Sequence, residues 1–126
     1  MTWICLVDDD PDVCDALTDA LRSVGHGVQS FRNGEDALQA IENALEPPRL
    51  VLLDVLLGVL SGREVLRRIR EGHRAPNVPV VVISGMDLDE RYFAPWPVTA
   101  VLRKPVVVAD LLRVVAGALR PRRRRR

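Results

Sequence analysis

The chain has 126 residues, 48% hydrophobic and 28% charged, which fits one globular domain. It contains no apolar run near the ~18 residues of a membrane span. Six of its 18 basic residues are Arg120 and residues 122–126; the rest carries 12 basic against 17 acidic groups, a net of −5, which argues against a nucleic-acid-binding surface on the folded body.

Residues 3–7 read as a first strand, with no basic secretion-signal stretch before it, so the expected compartment is the cytoplasm. Asp10 then caps a helix with Pro11 at its first position, where proline's missing N–H costs nothing. Val13, Leu17, Ala20, Leu21 and Val24 form its apolar stripe, and Gly25 ends it. Cys5 on the strand and Cys14 on the helix are predicted to be reduced thiols, too few for a disulfide framework. Residues 28–31 make a short second strand. Asn33-Gly34 opens a helix with Ala37, Leu38, Ile41 and Leu45 inward, stopped by Pro47-Pro48.

Residues 50–53 are a third strand, apolar throughout, as expected when helices cover both faces of a sheet. A loop follows, and Ser61-Gly62-Arg63-Glu64 reads as a capping box that starts a helix carrying Val65, Leu66 and Ile69. Residues 78–83 form a fourth strand. Residues 87–94 have room for about two helical turns, closed off by Pro95 and Pro97. A fifth strand at 98–102 and a last helix at 108–119 complete the pattern. Five βα units of this size imply a three-layer α/β sandwich on a parallel sheet, with right-handed crossovers. One domain is expected over residues 1–119, with a disordered arginine-rich tail over 120–126.

Polar residues stand just behind four of these strands: Asp8-Asp9, Asp54, Ser84 and Lys104. In a parallel α/β sheet the residues past the strand ends converge on one edge. Two like charges at 4 Å repel by roughly 4 kcal/mol at an effective dielectric near 20. Lys104 relieves part of that, and a hard divalent cation relieves more. An all-oxygen set favours Mg²⁺ or Mn²⁺. A carboxylate beside a cation, a lysine and a hydroxyl is suited to phosphoryl transfer, forming an acyl phosphate on aspartate. Asp54, alone at the middle strand, is the best nucleophile.

On these residues the chain resembles the receiver domain of bacterial two-component response regulators, over residue 1 to about residue 119. The matching motifs are Val7-Asp8-Asp9-Asp10-Pro11, Leu53-Asp54-Val55, Ser61-Gly62, Val82-Ile83-Ser84-Gly85 and Lys104-Pro105. The resemblance implies a flavodoxin-like fold with strand order 2-1-3-4-5. It implies Mg²⁺ held by Asp9, Asp54 and the Leu56 carbonyl, with Asp8 acting through water. It also implies phosphorylation of Asp54 by a sensor histidine kinase or histidine phosphotransfer protein. Ser84 and Lys104 would contact phosphoryl oxygens, and the small Gly85 would leave access to the aspartate. Such a protein is a signalling phosphoacceptor that catalyses only its own phosphorylation and dephosphorylation. It acts on a downstream protein and is a monomer or weak dimer.

Three positions depart from the family pattern. Gly58 stands where proline is usual, Val101 where the switch aromatic is usual, and the segment before Pro95 is short and carries Tyr92, Phe93 and Trp96. These departures motivate an alternative, a pseudo-receiver serving as a constitutive protein-interaction adaptor. A phosphatase of the haloacid dehalogenase type also phosphorylates an aspartate, and Asp8-Asp9-Asp10 matches its motif superficially. The chain is short for that type and lacks a substrate cap.

Overall fold

Asp10, Asn33 and Ser61 each start a helix by accepting a backbone N–H with the side chain, at Asp12, Asp36 and Glu64 respectively. The structure, a computed structural model, describes residues 2–120; Arg120 is exposed, and the rest of the expected tail lies outside the described residues. The elements are β1 (Ile4–Val7), α1 (Pro11–Ser23), β2 (Val28–Phe31), α2 (Gly34–Asn43), β3 (Leu50–Asp54), α3 (Gly62–Glu71), β4 (Val80–Ser84), a 3-10 turn (Glu90–Phe93), β5 (Ala100–Arg103) and α4 (Val108–Ala118). All strand pairs are parallel, in the order β2-β1-β3-β4-β5, so β3 is central.

Every residue of β1, β3 and β4 is buried, and alternate residues feed two cores. On one face Val51, Leu53, Val80 and Val82 meet Ala37 and Ile41 of α2, Val65, Leu66 and Ile69 of α3, and Phe93. On the other, Leu50, Leu52, Val81 and Ile83 meet Cys14, Leu17 and Leu21 of α1 and Leu111 and Val115 of α4. Each such aliphatic side chain contributes about 1.5–3 kcal/mol by leaving water.

Several local expectations are corrected. Leu45 is fully exposed, because α2 ends at Asn43 and Ala44 already has extended backbone (ψ 144°), so the helical period no longer applies. Val24 is exposed for the same reason, as the residue that caps the end of α1. The Ser61 half of the capping box forms, but Glu64 bonds Arg67 and Arg68. The segment at 87–94 holds a single 3-10 turn. Ala94 precedes Pro95 and is extended (ψ 142°), as the residue before a proline tends to be. Strands β4 and β5 begin two residues later than expected, and β3 and β4 each run one residue further, so Asp54 and Ser84 are the last residues of their strands.

Candidate functional site at the carboxyl edge of the sheet

Parallel pairing in register brings the ends of β1, β3, β4 and β5 to one edge: Val7 pairs with Leu53, Asp54 with Ile83, and Ser84 with Arg103. Asp8 directly follows β1 and is wholly buried. Its N–H donates to Phe31 O at 3.0 Å, and its Oδ1 accepts from Asp10 N–H at 3.0 Å. Its carbonyl accepts from the Cys14 thiol at 3.2 Å. Asp54 closes β3, with Oδ1 accepting from Leu56 N–H at 3.4 Å. Asp9 is exposed.

Lys104 lies between the buried acids. Its Nζ donates to Asp54 Oδ2 at 3.2 Å and is 2.9 Å from Asp8 Oδ2. The second contact is an ion pair off the hydrogen-bonding direction, so Asp8 Oδ2 is buried without a hydrogen-bond donor. Backbone holds the lysine in place: Lys104 N–H donates to Ser84 O at 2.8 Å. Burial raises the Asp54 pKa, the charge of Asp8 raises it further, and Lys104 offsets part of this, for a net rise. Burial lowers Lys104, but its contacts with Asp8 and Asp54 outweigh that and hold it above its usual range.

One oxygen each from Asp8, Asp9 and Asp54 lies within 4.8 Å of the others. This all-oxygen set fits a hard divalent cation such as Mg²⁺ or Mn²⁺.

Ser84 stands beside this group at the end of β4, with its hydroxyl folded onto its own loop. It accepts from Met86 N–H and donates to Met86 O, both at 2.9 Å. A Cβ at Gly85 would meet nothing within 4 Å. Val101 lies away from the acids, part-buried against the core that holds Phe93 and Trp96. Gly58 has φ +33°, a left-handed path closed to proline, whose ring holds φ near −65°.

Sequence reasoning missed the role of α3 in fixing this edge. Gly62 N–H donates to Val55 O at 2.8 Å, and a Cβ at Gly62 would lie 2.2 Å from Asp54 O. Arg63 then reaches the aromatic segment, donating to Ala94 O at 2.9 Å and Tyr92 O at 3.3 Å and lying 4.8 Å from the Trp96 ring centroid. Arg70 donates to Pro97 O at 2.9 Å and to Val78 O at 2.7 Å. Apart from Val78, these partners lie 27 or more residues away, and no local pattern announces them. Of the three aromatics, Phe93 is core, while Tyr92 is exposed and Trp96 part-exposed.

A doubly wound parallel sheet of this order, with an acid cluster and a lysine at its carboxyl edge, defines a flavodoxin-like α/β fold. The chain belongs to the response regulator receiver domain family, which it matches over residues 4–116. It is 34% identical over 95% of its length to a transcriptional regulatory protein CpxR homolog of Haemophilus influenzae, covering 51% of that protein. It thus spans about half the length of this curated relative. It is 32% identical to an uncharacterised 14.6 kDa protein of Leptolyngbya boryana, covering 89% of this chain and 86% of that one. A CheY-like receiver domain protein from Methanospirillum hungatei superposes with a TM-score of 0.84 at 26% identity, covering 94% of each chain. Among the described residues no helix is long and apolar enough to cross a membrane.

Proposed function

We propose that this receiver domain is switched by phosphorylation of Asp54, with a sensor histidine kinase or histidine phosphotransfer protein as donor and Mg²⁺ or Mn²⁺ as cofactor. The observation that carries the proposal is the placement of the Asp54 carboxylate. It ends the central strand, shares a cluster with Asp8 and Asp9, and lies 3.2 Å from Lys104 Nζ. An Asp54 oxygen attacks phosphorus. The new P–O bond forms as the P–N bond to the donor histidine breaks, and the imidazole leaves with the electron pair and takes up a proton.

Asp8, Asp9, Asp54 and the Leu56 carbonyl are the residues that would hold the cation. When bound, the cation supplies positive charge to the phosphoryl oxygens. Lys104 turns from Asp54 to a phosphoryl oxygen. Ser84 exchanges its bonds to Met86 for another, a near-balanced trade at about 1 kcal/mol net per bond. Gly85 leaves room for the group, and Val101, part-buried against the core, has no ring to reorient. In this reading the domain lies in the cytoplasm and passes the signal to a downstream protein.

Intact-mass spectrometry with acetyl phosphate and Mg²⁺ tests the proposal. One phosphoryl adduct is expected on the parent and none on Asp54→Asn. An unlabelled parent, under conditions that label other receivers, would refute it. The constitutive-adaptor reading draws on Gly58, Val101 and the single 3-10 turn. It predicts that Asp54→Asn leaves partner binding unchanged in cells.

A further inference from the structure

Two consecutive residues span the distance from Asp54 to the aromatic segment before β5. Gly62 is in backbone contact with the end of β3, so close that a Cβ would fall 2.2 Å from Asp54 O and 2.8 Å from Val55 Cα. Its N–H is bonded to Val55 O at 2.8 Å. The next residue, Arg63, holds two carbonyls of the segment and sits over the Trp96 ring at 4.8 Å. A planar guanidinium engaged at three points has little freedom to absorb a displacement. Val101 meanwhile offers no ring to move.

We propose that Arg63 couples the Asp54 site to residues 92–96, so that a phosphoryl group on Asp54 is reported through the Arg63–Trp96 contact. This rests on the phosphoacceptor reading above. A shift of the Asp54–Val55 backbone moves Gly62, Gly62 carries Arg63, and Arg63 carries the carbonyls of Tyr92 and Ala94 with the Trp96 ring. The state at Asp54 thereby changes the exposed face formed by Tyr92 and Trp96. Spatial continuity alone does not establish coupling, so the test perturbs the joint and reads both ends.

The chain has two tryptophans, so Trp3→Phe leaves Trp96 as the sole indole reporter. In that background, ¹⁹F NMR follows bound beryllofluoride with Mg²⁺, and fluorescence follows Trp96. Beryllofluoride is expected to shift Trp96 emission in the parent. Arg63→Ala is expected to bind it equally well while losing most of that shift. If Arg63→Ala does not melt cooperatively, Arg63→Lys carries the test. Its single ammonium cannot span both carbonyls, and the shift is expected to fall at least twofold. Equal Trp96 responses in parent and variant would overturn the coupling, as would an unmoved Trp96 in a parent that binds beryllofluoride. A parent that binds no beryllofluoride would overturn the phosphoacceptor reading and the coupling with it.

Discussion

Asp54 is held in a setting that disfavours its own charge. Burial and the neighbouring Asp8 carboxylate raise its pKa above the ordinary 3.8, despite Lys104. A carboxyl group with a raised folded pKa contributes most below its unfolded pKa, and that contribution declines as pH rises through the folded value. At neutral pH the ionised side chain therefore costs stability. Asp54→Asn should be more stable than the parent in EDTA at pH 7, by on the order of 1 kcal/mol in thermal unfolding. Lys104, 2.9 Å from Asp8, still has that carboxylate as a partner when Asp54 is replaced. A less stable variant would mean that the Lys104–Asp54 contact outweighs the repulsion. The thiols are protected from reaction by a similar cost of burying charge. Burial pushes Cys5 up to about 12, and burial followed by Asp8 raises Cys14. At pH 8 only about one Cys5 thiol in ten thousand is then ionised. Neither cysteine should react with iodoacetamide until the chain unfolds, and rapid labelling of the native protein would contradict this burial.

At the level of elements, α3 carries more responsibility than its amphipathic pattern suggests. Its buried stripe of Val65, Leu66 and Ile69 packs on the sheet in the ordinary way. Its first turn abuts the end of β3, and Arg63 and Arg70 anchor the segment that replaces a full helix before β5. Gly62→Ala should therefore destabilise the domain by about 1–3 kcal/mol through overpacking against backbone, seen as a lower urea midpoint. An unchanged midpoint would mean that the start of α3 can withdraw from Asp54 freely. The caps at Asp10, Asn33 and Ser61 were legible in the sequence because a cap is decided within three residues. The positions of Leu45 and Val24 were not, because they depend on where a helix stops. Arg63 and Arg70 were also illegible: their partners lie across 31 and 27 residues of chain.

Across the whole molecule, two cores sandwich a sheet whose carboxyl edge gathers three carboxylates around one lysine. A cation bound only by the folded arrangement must stabilise it by linkage. At a Mg²⁺ concentration 100-fold above its dissociation constant the gain is about 2.7 kcal/mol, worth about 10 °C in a domain of this size. Calorimetry with Mg²⁺ against EDTA should show that rise. A midpoint indifferent to millimolar Mg²⁺ would mean that Asp8, Asp9 and Asp54 do not act as one site. By itself the sequence determined the alternation of strands and helices, the parallel sheet and the acids and lysine behind the strands, because apolar periodicity and turn residues act over a few positions. Tertiary structure alone decided how those groups meet: Lys104 between Asp8 and Asp54, Ser84 turned onto Met86, and Gly62 and Arg63 linking the Asp54 strand to Trp96. Such contacts are set by register, burial and backbone approach between segments distant in the chain.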